Sequence, residues 1–442
     1  MLRRFVQLAA LSVPFIVGSI SHAAVWKVTN GWNAQWEKAF GKYINELPLD
    51  YFNHPGTPYY NIPTDCADAA YTLRVIFAAE NGLPVNFYNW NGLNLSDRNT
   101  QFDSISDDTE RLRKFIRLVN LNTDTGTLIS ETYPIAINRG SVIPGTMLLH
   151  SPKKEMKNGV NWTPPVLASN HVFYVQNVSA SGLVAYISST VPAAVRNLNV
   201  RNGYVYAPFN ENSGYRAWKW PYTEGQPLES RLNGSMEQFG LANWVSAIFA
   251  TKDTVVAGRK AMWAQDKAWS DVVRSRLQGK GAGREINPTE ELNAVMGNIN
   301  NGLNDRIKVV LEGWNAYQSR YNGRSCMSPD DYDGFSTPTR DTRIQTELAY
   351  LPAAAMRYLK SKRISPTPKQ LEKFYSQYKY EVAPGTIVNL NQILSAFKGR
   401  KALSISEPEH SPLIRWGVTE YTSSKQWPCP QHAKKYLGSD NF

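Results

Sequence analysis

The chain has 442 residues and a formal net charge of +11, with 42% hydrophobic and 12% aromatic residues. That content excludes a disordered chain, and the length allows two or three domains. The positive charge is dispersed in short clusters such as Lys153-Lys154 and Lys434-Lys435. No nucleic-acid-binding arm is present, and a basic chain of this kind suits an anionic polymer instead.

In chain order, Arg3 and Arg4 precede an apolar run from Phe5 to Ile20, and Ser21 and Ala23 supply small residues at the −3 and −1 positions of a cleavage site. This is the layout of a secretory signal peptide over residues 1–23. Pro14 interrupts the run, which is short for a membrane anchor. Cleavage removes two arginines and no acids, so the net charge falls to +9. A periplasmic or secreted location in a bacterium follows. Residues 24–65 read as loop-rich, with Trp26, Trp32, Trp36 and Phe40 marking a short helix. The spacing of Cys66, Ala69, Ala70, Leu73, Ile76 and Phe77 predicts a helix over 66–80, stopped by Asn81-Gly82. A second helix is expected over 105–120.

From about 127 to 220 the pattern turns to strands. Ser141 to His150 reads as a turn and a strand, 170–178 and 183–189 as a hairpin, and Tyr204-Val-Tyr-Ala207 as an edge strand. Pro221 to Gln226 reads as a linker. Beyond it helices are expected near 234–248, 253–277, 288–321, 341–360 and 367–379. The expected domains are therefore 24–225 and a mainly helical 226–442.

Three cysteines in an oxidising compartment leave one unpaired. Cys326 and Cys429 both lie in Pro/Gly-flanked loops, so the economical pairing is Cys326–Cys429, with Cys66 as the free thiol. Thr64 or Asp65 caps the helix that Cys66 opens, and amide N–H groups at a helix start lower a thiol pKa. His171 begins an alternating strand and is the candidate base, with His150 as its rival. His54, His410 and His432 lie in turn-like or irregular sequence. A hairpin turn at Ser179–Gly182 sets a register in which paired positions sum to 361. Ser188 then shares a sheet face with His171 and is the candidate third member, ahead of Tyr186.

Asp65-Cys66, Gly82-Leu83-Pro84, Pro144-Gly145-Thr146 and His171-Val172-Phe173-Tyr174 resemble, in order, the motifs of the NlpC/P60 branch of papain-like cysteine hydrolases. The chain departs from that pattern at Thr146, where the family has Asp, and at Ala67-Asp68, where it has Ser-Gly. The resemblance covers about residues 55–190. It implies an α+β, papain-like N-terminal domain that hydrolyses an amide bond, most plausibly in peptidoglycan stem peptides. Cys66 would attack, His171 would move the proton and Ser188 would orient the imidazole. The Cys66 amide and the Tyr59 or Tyr60 hydroxyl would meet the oxyanion. Asp65-Cys66 with Asn81-Gly82-Leu83-Pro84 is also similar to transglutaminase-like domains, but no Asp lies between Asp124 and Asp253 to complete their triad.

No His or Cys pair has metal-ligand spacing, and Gly279-Lys280-Gly-Ala-Gly-Arg284 lacks a phosphate-loop ending. No metal or cofactor is expected. Asp330-Asp331-Tyr332-Asp333-Gly334 resembles part of a calcium loop but lacks its terminal Glu. The aromatic and cationic strip Gly214 to Trp220 reads as packing between domains, with stacking on sugar rings as the alternative. The expected partner is peptidoglycan or another cell-envelope polymer. An acyl transferase, a protease, and a non-catalytic wall-binding protein on a decayed hydrolase scaffold are the competing functions.

Overall fold

The computed structural model describes residues 24–150, 155–157, 160–162, 171–203, 212–222, 225–241, 269–279, 287–398, 407–419 and 429. The expected signal peptide, the Tyr204–Ala207 strand, His432 and all of 242–268 lie outside the described residues. Among the described residues no helix is long and apolar enough to cross a membrane.

The chain is mixed helix and sheet. Helices α1 (Ala34–Glu46) and α2 (Cys66–Glu80) precede a short hairpin of β1 (Asn86–Tyr88) and β2 (Asn94–Ser96). Helices α3 (Asp108–Asn122) and α4 (Thr127–Glu131) follow, then β3 (Thr132–Pro134) and β4 (Met147–His150). A small hairpin, β5 (Glu155–Lys157) and β6 (Val160–Trp162), leads to β7 (His171–Val178), β8 (Val184–Ser188), β9 (Asn199–Asn202) and β10 (Gly214–Trp218). Six of these strands form one antiparallel sheet in the order β3-β10-β4-β7-β8-β9.

Both faces of this sheet are buried. Met147, Leu149, Val172, Tyr174, Ile187 and Trp218 face α1, α2 and α3 in one core. Leu148, Phe173, Val175, Tyr186 and Tyr215 face the other way, against Trp269, Val273 and Leu277. Those three belong to α5, a helix described over 269–277. The N-terminal sheet is therefore completed by residues well beyond the expected boundary at 225. Two glycines make the close approaches possible. Gly145 turns into β4 at φ +86° and lies against Gly41 of α1. Gly182, at φ +80° in the β7–β8 turn, sits where any Cβ would strike the Arg274 carbonyl of α5.

The C-terminal half has its own core. It is built from α6 (Pro288–Arg320), α7 (Pro329–Phe335), α8 (Pro338–Ser361), α9 (Pro368–Tyr375), the hairpin β11 (Lys379–Ala383) and β12 (Thr386–Asn389), α10 (Leu390–Lys398) and α11 (Pro412–Arg415). Of the helix expected over 234–248, the described residues 234–241 hold a single 3-10 turn at Glu237–Gly240, and 242–248 lie outside the described residues. A buried polar seam joins the two halves. The Arg201 guanidinium of β9 donates to the Glu347 carboxylate of α8 at 2.6 Å, and the Asn298 amide of α6 donates to Glu347 and to the Asn202 carbonyl.

Candidate functional site

Cys66 opens α2, as its sequence context requires. The Asp65 carboxylate accepts from the Asp68 N–H at 2.9 Å, and the Asp68 carboxylate accepts from the Asp65 N–H at 3.0 Å, a reciprocal capping box. The thiol is 4% exposed. Its sulfur lies 3.6 Å from the Thr125 hydroxyl, and the main-chain N–H groups of Val172 and Ala67 also approach it. Burial and then the Asp65 carboxylate push the thiol pKa up. The expected depression is thus reversed. Hydrogen bonds to the sulfur and the helix start oppose the shift, but the cost of desolvating a thiolate is larger. The void beside Cys66 measures about 10 Å³ and is lined by side chains such as Ala69, Leu73, Val172 and Tyr174. It is at the lower limit for a single water, ~10–15 Å³, and does not admit a substrate.

The sheet separates Cys66 from His171. Val172 and Tyr174 belong to the core that contains Cys66, whereas Phe173 and Val175 belong to the opposite core. The His171 ring lies 4.3 Å, centroid to centroid, from the Phe173 ring, on that opposite face. Side chains two apart on a strand share a face, so His171, Phe173 and Val175 point away from α2. The structure does not bring the expected pair together. His150 is no substitute. It pairs directly with His171 across β4 and β7 and shares that face. Burial, helped by Arg201, lowers its pKa to about 4, so the imidazole is neutral near pH 7.

Beside the turn the register is one residue off the expected one, with Val178 paired to Val184 and Asn177 to Ala185, and a bulge between Val175 and Asn177 brings it to the expected sum of 361 at Val175–Tyr186 and Tyr174–Ile187. Ser188 itself lines the small void at Cys66, although its alternation with Ile187 assigns its side chain to the opposite face of the sheet. Ser189 reaches the Cys66 side, where its hydroxyl donates to the Thr64 carbonyl at 2.8 Å. The Tyr186 hydroxyl is paired with that of Tyr215. Tyr59 does not meet an oxyanion at Cys66. Its hydroxyl donates at 2.8 Å to Glu80, the last residue of α2. At ~1.5 Å per residue that end lies about 21 Å along the helix from Cys66. Tyr60 is exposed in the preceding turn.

Cys326 and Cys429 are joined in a disulfide, and Cys66 is the free cysteine. Glu409 lies with the two sulfurs within 4.8 Å, the one cluster of metal-ligand type among the described residues, but the disulfide occupies both thiols. Asp330 and Asp331 form the first turn of α7 rather than a loop, and Asp331 accepts from Arg320 and from the Tyr321 hydroxyl.

A larger cavity of about 210 Å³ lies near the middle of α2. Arg74 forms part of its wall, eight residues along the helix from Cys66. The Arg74 guanidinium stacks 3.3 Å from the Trp32 ring centroid and forms a bidentate pair with Glu37. Trp32 donates its indole N–H to the Pro84 carbonyl at 2.8 Å, and Trp220 donates to Glu37 at 2.8 Å. Glu131 and Lys219 complete the wall where β3 begins and β10 ends, the Lys219 N–H donating to the Glu131 carbonyl. The strip Gly214 to Trp220 serves packing in part, since Tyr215 lies against Trp269, Val273 and Leu277 of α5. Tyr215 and Trp218 are core residues of the N-terminal sheet, and Lys219 and Trp220 line the cavity. Sequence reasoning missed this site because its walls come from five separate segments. The Lys219-Trp220 pair was its only local signal.

Comparison with protein-family models, curated proteins and solved structures returns no match for this chain.

Proposed function

We propose that this chain is an exported, non-catalytic binding protein of the bacterial cell envelope, on a papain-like, NlpC/P60-type scaffold whose hydrolytic centre is not assembled. The observation that carries this reading is the placement of Cys66 and His171 on opposite faces of one sheet. A general base must reach its proton within about 2.6–3.2 Å, and catalytic contacts in an empty site are often looser. An intervening sheet is not such a loosening. The tight void at the thiol and the raised thiol pKa point the same way. The net positive charge supports an anionic wall polymer as the partner.

A second reading is hydrolysis of peptidoglycan stem peptides by Cys66. One observation favours it: Val172, the residue that meets the thiol, is the immediate neighbour of His171. A slip of β7 by one residue would exchange the two faces. One experiment separates the readings. Purified sacculi are incubated with wild-type protein and with Cys66→Ala, then sedimented, and the supernatant is examined by mass spectrometry. The binding reading expects both proteins to co-sediment equally, with no release of peptides or amino acids. Release that depends on Cys66 would overturn it in favour of hydrolysis.

A further inference from the structure

We infer that the Trp32–Trp220 cavity binds one uncharged sugar ring of a glycan, with the next ring of the strand lying over Trp90. This deepens the binding reading and rests on it for the source of the glycan, but the site itself is argued from its own walls.

Size comes first. Pockets for drug-sized ligands run to ~300–1,000 Å³, so a cavity of about 210 Å³ suits a ligand of a single ring. The aromatic walls are also rigid. Trp32 is held by its bond to Pro84 and by the guanidinium stacked on it, and Trp220 is held by its bond to Glu37. Both indole N–H groups are thus engaged inside the protein. Trp32 is buried beneath the Arg74 guanidinium, so the ring surface offered to a ligand is that of the half-buried Trp220, fixed before binding, which reduces the entropy lost on association.

Charge decides the ligand class. Glu37 neutralises Arg74 through both terminal nitrogens. The remaining charged residues of the wall are Glu131 and Lys219, of opposite sign and opposite one another at the strand ends. The wall is neutral overall, so neither an anion nor a cation gains a net Coulombic attraction. Polar groups of both kinds line the wall, already ordered by the protein: the Glu131 carboxylate accepts from the Tyr88 N–H at 2.8 Å, and the Asn86 amide accepts from Asn94 at 2.7 Å and donates to the Tyr88 hydroxyl. Hydroxyl groups, which both donate and accept, match such a wall.

The rim extends the site. Tyr88 is 37% exposed, and Trp90, two residues on, is 68% exposed. Trp90 is not a loose side chain. Its indole N–H donates to Asp124 at 3.0 Å, and its ring covers Gly126 at the start of α4, the helix that ends at Glu131. A fixed, solvent-facing indole two residues along the chain from the cavity-lining Tyr88 provides a second stacking surface for a chain of rings.

The test titrates the full chain with N-acetylglucosamine and with chitotetraose, following tryptophan fluorescence and calorimetry, with inorganic phosphate and glycine as charged probes. Binding of both saccharides is expected, the tetramer tighter. Trp220→Ala should weaken both at least tenfold, about 1.4 kcal/mol. Trp90→Ala, an exposed change that leaves the core intact, should weaken the tetramer and leave the monosaccharide unchanged. Trp220→Phe should restore part of the loss. Three results overturn the inference: no saccharide binding up to about 10 mM, weaker than the ~4 kcal/mol of a millimolar complex; saccharide binding indifferent to both tryptophans; or phosphate or glycine binding that the same variants abolish. Sacculus sedimentation of the same proteins separates the two levels. If wild type sediments with sacculi but ignores saccharides, the inference falls and the binding reading stands. If saccharides bind through Trp220 but sacculi do not, the inference stands and the envelope reading falls.

Discussion

Replacing Arg201 with Leu should be among the most damaging single changes in the chain. Arg201 and Glu347 are 3% and 1% exposed at their side chains and meet at 2.6 Å between β9 and α8. Removing the guanidinium leaves the Glu347 carboxylate buried, with the Asn298 amide at 3.0 Å as a remaining donor. Breaking a buried pair from one side costs roughly 3–5 kcal/mol. That is a large share of the ~5–15 kcal/mol that keeps an ordinary domain folded. Removing both charges in Arg201→Leu/Glu347→Leu should recover most of the loss, because no charge is then left in the seam. The residual cost is the Asn298 bond, about 1 kcal/mol. Urea unfolding followed by circular dichroism measures all three proteins. A single variant within about 1 kcal/mol of wild type, or a double variant as weak as the single, would refute the idea that this pair couples the sheet to the helical half.

Iodoacetamide should label Cys66 slowly in the native protein, with a rate still rising above pH 9, and His171→Ala should leave that profile unchanged; a low apparent pKa that moves with His171 would reinstate the dyad. Burial pushes the Asp68 carboxyl up to about 7, so its protonated form is favoured on folding and its contribution is lost as pH rises from about 4 through 7. Asp68→Asn keeps an acceptor for the Asp65 N–H, and its melting temperature relative to wild type should climb over that range and level off above it. A constant difference would count against the raised pKa. The Cys326–Cys429 bond closes a separation of 103 residues, for which loop entropy gives about 4.7 kcal/mol. Reduction, or Cys326→Ser with Cys429→Ser, should lower the unfolding midpoint of the helical half, and an unchanged midpoint would contradict this.

Local chemistry was readable without a structure. Asp65 before Cys66 and Asn81-Gly82 after Glu80 bounded α2, because capping depends on neighbours in sequence. The β7–β8 hairpin was legible from its turn, but the turn pairs the strands one residue off the expected register, and the Val175–Tyr186 pairing arises from a bulge between Val175 and Asn177 that the sequence did not signal. The flanking loops of Cys326 and Cys429, with Cys66 on a helix, identified the disulfide. What the sequence did not contain was which face of β7 meets α2. Val172 and Tyr174 on one side are as apolar and as buried as Phe173 and Val175 on the other, since α5 covers the far face. A strand buried on both faces gives no alternation from which to choose. The choice of a single parity moved His171 away from Cys66. The same layering brings Trp32, Arg74, Glu131 and Trp220 from distant segments around one cavity, an arrangement that exists only once α1, α2 and the β3–β10 edge have packed together.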